Sequence, residues 1–130
     1  MSYVVRLYDI QIGSSSLEKS DAARGQVSGD LTFINIESGY DFLSAYCKET
    51  ESQINADVEE LKFIEAEAIR GLNVVTAEGH EIPASQIVVR GLDSGTYEIE
   101  LSGITASDYA ALFPDYLAAY EQMFTLKLNG

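Results

Sequence analysis

Tryptophan is absent, cysteine and histidine occur once each, proline twice, and only eight of 130 residues are lysine or arginine. Each shortage removes a class of explanation. The single cysteine, Cys47, has no internal disulfide partner, and one cysteine with one histidine cannot complete the ligand set of a structural zinc site. Two prolines and no low-complexity run argue against a disordered chain. No apolar stretch approaches the roughly 20 residues that a helix needs to cross a bilayer. In "MSYVVRLYDIQIG" Arg6 and Asp9 interrupt what would otherwise read as an apolar leader. A cytoplasmic location with no membrane partner is expected.

The shortage of basic residues has the widest consequence. Twenty-one Asp and Glu face those eight cations, leaving a formal net charge of −13. Such a field repels nucleic-acid phosphates and anionic lipid, both of which are gripped through Lys and Arg, so no direct nucleic-acid partner is expected. A basic protein, a metal, or solubility alone remain as reasons for the acidity.

The motifs of common chemistries are missing too. Neither G-x-G-x-x-G nor G-x-x-x-x-G-K-[ST] occurs. "NADVEE" and "DSGTYE" hold fragments of a calcium loop without its glycine or closing Glu. The string "VVTAEGHEIPASQIVV" resembles a strand–turn–strand piece of the flavin- and nicotinamide-dependent disulfide reductases. The chain lacks that family's glycine-rich turn and is too short for such an enzyme, so the resemblance implies a hairpin and nothing more. His80 sits in "EGHEIP", a turn sequence expected to be solvated and a poor place for a general base. Cys47 falls on the apolar side of a helical pattern with no basic neighbours to lower its pKa. No catalytic residue, metal ligand or cofactor is assigned, and the protein is not expected to be an enzyme.

What is present points to one folded domain over residues 1–130. Apolar residues make up 46% of the chain, with eight Tyr and five Phe, enough to build a real core. Residues 3–12 and 26–36 read as strands, separated by a flexible polar loop at about 13–25. Ser38-x-x-Asp41 caps a helix over about 39–53. Residues 57–70 satisfy two patterns: a cap, good helix formers and Gly71 argue for helix, while "FIEAEAI" alternates like a strand. Helix is the expectation. After Gly71 come hairpins with "AEGH" and "GLDSG" turns, Gly79 and Gly95 taking positive φ. Thr105-x-x-Asp108 then starts a short helix, Pro114 breaks it and opens a second, and "FTLKL" (124–128) closes as an edge strand. The fold class is α+β, an antiparallel or mixed sheet with two to four helices packed on one side.

In "TYEIELS" (96–102), Glu98 and Glu100 share one strand face with no base among them. With so few Lys and Arg, most surface acids are expected to lack a cation to pair with, which makes the negative field a candidate for use. The expected function is a non-catalytic acidic module, an inhibitor or antidote that docks on a basic protein surface, including one that normally holds nucleic acid. Candidate contacts are Glu98, Glu100, Glu65, Glu67, Asp108, Asp115, Tyr116 and Glu121. Tyr109, Leu112, Tyr116 and Tyr120 follow helical spacing, and core packing is the expected use of that stripe. The alternatives are a self-associating structural subunit and a small ligand-binding or enzymatic domain without a recognisable motif.

Overall fold

Alternation of apolar and polar residues is the strongest local signal in this chain, and in the computed structural model it becomes nine strands. The structure describes residues 2–129, with side chains as far as Met123. The strands are β1 (Tyr3–Leu7), β2 (Ile10–Ser15), β3 (Lys19–Asp21), β4 (Gln26–Phe33), β5 (Gln53–Val58), β6 (Phe63–Glu67), β7 (Leu72–Val75), β8 (Gln86–Leu92) and β9 (Tyr97–Ser102). The helices are α1 (Gly39–Thr50), α2 (Ala106–Leu112) and α3 (Pro114–Asn129). The sheet runs β5-β6-β8-β9-β4-β2-β1-β7, with β3 also paired to β4, and its ladders are antiparallel. The fold is α+β.

Period-two patterning decides which sheet face is dry. On β9, Tyr97, Ile99 and Leu101 are buried, and their partners Leu31, Gly29 and Val27 on β4 face the same way. Ile64 and Ala66 on β6 and Val89 on β8 extend this layer, and α1 covers it with Leu43 and Cys47. At the far end, Tyr109 and Phe113 plug the core beside Tyr3, the Tyr3 and Phe113 rings 5.8 Å apart.

Five expectations are corrected. Residues 3–12 form a hairpin, not one strand: Tyr8 takes φ 56° and its N–H donates to the Gly71 carbonyl. Residues 13–25, expected as a loop, complete β2 and supply β3 and a 3₁₀ turn, because Leu17 is fully buried and anchors them. Residues 57–70 are strand, a 3₁₀ turn at Glu59–Leu61 and strand, not helix. Alternation overrode helix propensity there, since only an extended chain puts Ile64 and Ala66 inside with Glu65 and Glu67 outside. The expected edge strand at 124–128 is instead the last part of α3. Among the turn glycines, Gly79 has φ 88° as expected, while Gly95 is not at positive φ.

The break at Pro114 and both caps form as read. Thr105 accepts from the Asp108 N–H, and Ser38 accepts from the Asp41 N–H. The start of α1 gains a second acceptor from the β8–β9 turn. Asp93 takes the Tyr40 N–H at 3.1 Å, the Ser38 hydroxyl at 2.5 Å and the Tyr97 hydroxyl at 2.6 Å. Burial alone would raise the Asp93 pKa, but these three hydrogen bonds outweigh it and hold the carboxyl below its ordinary value. Asp93→Ala is therefore expected to cost about 1–2 kcal/mol at pH 7. A group with a depressed folded pKa stabilises above its unfolded value and loses that contribution as pH falls through the folded one. Thermal melts should show the wild-type advantage intact at pH 7 and shrinking below about pH 4. An advantage that does not change with pH would mean Asp93 is not the cap.

Candidate functional site

The base missing from "TYEIELS" lies on the neighbouring strand. Ladder pairing sets Asp30, Glu98, Arg90 and Glu65 side by side across β4, β9, β8 and β6. The next row holds Ser28, Glu100, Val88, Glu67 and Gln53. Both rows face away from α1, since their alternate neighbours form the core. Antiparallel strands with one wet face put every second residue there. Four strands in register therefore collect residues that are scattered along the sequence.

Arg90 is the centre of the face. Its Nε donates to Glu65 Oε1 at 3.1 Å, its Nη1 to Glu98 Oε1 at 2.6 Å, and its Nη2 lies 3.6 Å from Glu100 Oε2. Arg90 is 32% exposed and its three partners 26–30%, so these pairs are only partly screened. Burial alone would ease the proton off Arg90, but Glu65, Glu100 and Glu98 hold it on more firmly. Lys19 reaches Glu98 Oε2 at 3.3 Å from β3. The expectation that these carboxylates lack cations is thus corrected for Glu65, Glu98 and Glu100: the cations come from other strands.

Amide side chains hold the rest. Gln53 and Asn55 each donate to Glu67 Oε1 at 3.0 Å, Gln86 donates to its Oε2, and Asn55 also donates to Glu65 Oε2 at 3.2 Å. Gln26 donates to Glu100 Oε1 at 2.9 Å. The four carboxylates are fixed in orientation, yet the face stays acidic. Among the described residues, Asp30, Glu65, Glu67, Glu98 and Glu100 stand there against Arg90 and Lys19. No group of three or more His, Cys, Asp or Glu among the described residues is placed to hold an ion.

The other candidates are elsewhere. Asp108 is the return half of the α2 cap, accepting from the Thr105 hydroxyl at 3.0 Å. Asp115 and Glu121 are exposed on α3. Tyr116 points inward, its hydroxyl donating to the Leu17 carbonyl at 2.6 Å and its ring stacked on Phe113 at 5.8 Å. Of the tyrosine stripe, Tyr109 is buried while Tyr120 is 41% exposed, so the packing fades along α3. His80 is exposed in its turn, its N–H donating to Thr76 Oγ1 at 3.1 Å. Cys47 is fully buried, and burial pushes its thiol up.

A single carboxylate with its partners braces the helix side. Asp57 of β5 accepts from the Tyr40 hydroxyl and pairs with Lys48 Nζ at 3.7 Å. That hydrogen bond, with burial, pushes Tyr40 up to about 12. This cluster ties α1 to the sheet edge.

The sequence reading missed Arg90, Lys19 and the amides Gln26, Gln53, Asn55 and Gln86. Part of the signal was present: alternation in "QINADV" puts Gln53 and Asn55 on one face, although the bulge between Ile54 and Ala56 sends Asp57 to the α1 side, and in "QIVVRGL" Gln86 and Arg90 share a face with Val88 between them. Assigning 57–70 to a helix hid the ladder that brings them together. No protein-family model, no curated protein and no solved structure matches this chain.

Proposed function

We propose that this protein is a non-catalytic binding module that docks its acidic sheet face on a basic protein surface, as an inhibitor, antidote or adaptor would. The observation that carries the reading is the face itself. Five carboxylates stand there against two cations on the side of the sheet turned away from α1, in a chain of net charge −13. Electrostatic steering speeds association with a cationic partner. Carboxylates already held by Arg90 and by amide donors have less side-chain freedom to lose on docking. Glu65, Glu67, Glu98 and Glu100 are the contacts in this reading, with Asp108, Asp115, Tyr116 and Glu121 as a second region on the C-terminal helices.

The test is a pull-down from a lysate of the source organism or its host, with nuclease treatment, at low and high salt. A basic protein retained at low salt and released at high salt is the expected result. A bait that captures only proteins indifferent to salt would overturn the reading.

One observation favours a second reading, a self-associating subunit. Residues 118–123 of α3 are exposed, including Met123 at 61%. Light scattering across a concentration series distinguishes the two: a constant monomer mass opposes self-association.

A further inference from the structure

A cleft of about 410 Å³ opens between the Thr76–His80 turn and the α2–α3 elbow, away from the acidic sheet face. Its apolar lining comes from Leu112, Phe113, Pro114 and the ring of Tyr116, and its exposed polar groups are the imidazole of His80 and the two carboxylates of Glu78 and Asp115. Its most unusual member is Tyr3. That side chain is only 5% exposed, yet among the described residues no protein group hydrogen-bonds its hydroxyl, which keeps contact with solvent. The hydroxyl is thus solvated at the cleft and open to a ligand there. Burial raises the Tyr3 pKa, and Tyr116 and the nearby Glu78 carboxylate act in the same direction. An aromatic and aliphatic wall, an unused hydroxyl and two carboxylates make an asymmetric lining, greasy along its length and negative at its edge.

We infer that this cleft receives an arginine or lysine side chain presented by a partner protein, the aliphatic stem lying on Leu112, Pro114 and the ring of Tyr116 and the cation meeting Glu78 and Asp115. The chemistry fits on both counts. Long cationic side chains bury their methylenes on apolar surface while the charged head seeks water or an anion. A cation near aromatic faces and carboxylates together is favoured over either alone. Neutral ligands would leave both carboxylates unanswered, and anions would be repelled by them. The inference deepens the proposed function and rests on the partner being basic, but the chemistry of the cleft is measurable without that partner.

The experiment is a titration of the full chain with N-acetyl-arginine amide, followed by backbone amide NMR shifts, with the neutral isostere N-acetyl-citrulline amide as control. Shifts are expected to concentrate at Thr76–His80 and at residues 111–116, with citrulline at least tenfold weaker. Asp115→Asn and Glu78→Gln, both at exposed positions, should each weaken the arginine probe at least threefold. Tyr3→Phe, which keeps the ring packing, should weaken it as well. Equal binding of citrulline, or shifts centred on Glu65, Glu98 and Glu100, would overturn the inference. So would affinities that Asp115→Asn and Glu78→Gln leave unchanged. Glu98→Gln/Glu100→Gln is the separating control. If that variant loses the captured partner while the probe still binds the cleft, both readings stand. If the probe binds but no basic partner is ever captured, the sheet-face reading fails alone.

Discussion

Ile99→Ala is expected to cost about 3–4 kcal/mol, the cost of an internal cavity at a site that cannot collapse. Ile99 is fully buried on β9, between Val89 of β8 and Gly29 of β4. Gly29 has no side chain to slide into the gap, and Val89 is already packed. Domain stabilities are commonly about 5–15 kcal/mol. A loss of this size should lower the melting temperature by on the order of 10 °C and shift the urea midpoint without changing its slope. A cost under about 1 kcal/mol would mean that β9 does not run through the centre of the core.

Arg90→Met is the second large effect and has a different signature. Methionine keeps much of the stem length but leaves Glu65, Glu98 and Glu100 facing one another without the guanidinium between them. Exposed pairs contribute little and buried ones, once broken, cost several kcal/mol. For groups about 30% exposed the expected cost is about 1–3 kcal/mol at low ionic strength. Salt should recover part of it, because what remains is repulsion that mobile ions screen. Adding Glu98→Gln should also recover part, by removing one of the repelling charges. Urea melts at low and high sodium chloride read both. A cost that neither salt nor Glu98→Gln reduces would show that Arg90 acts through packing of its stem, not through charge.

Short-range chemistry was legible in the sequence, and long-range pairing was not. Ser38 and Thr105 announced their helices because a cap is built within four residues, and Pro114 broke the C-terminal helix because its ring forbids continuation. Residues 57–70 misled because the same letters satisfy two periods. The choice between them is made by β8, which pairs with Phe63–Glu67 and is more than 20 residues distant. Leu17 misled for a related reason: one apolar residue in a polar stretch carries no period, yet its burial orders residues 13–25. The site shows the same division. Glu65, Glu67, Glu98 and Glu100 could be read as outward-facing from alternation alone. That Arg90 joins three of them required the register of three strands. Tyr116 satisfied the helical stripe, and its inward turn follows from a hydrogen bond to Leu17, a residue 99 positions away.

In the proposed function the arrangement of charge on the sheet, and not the total charge, selects a partner. Its most direct measurement is a parallel low-salt pull-down with three baits, the wild type and two fourfold glutamine variants. One variant carries Glu65→Gln, Glu67→Gln, Glu98→Gln and Glu100→Gln on the face. The other carries Glu37→Gln, Glu49→Gln, Glu51→Gln and Glu59→Gln, exposed positions on or near α1 and the β5–β6 turn. Both lose four negative charges from −13 and reach the same net charge, −9. The basic partner is expected to be lost from the first variant and retained by the second. Equal retention, or equal loss, by the two variants would contradict it.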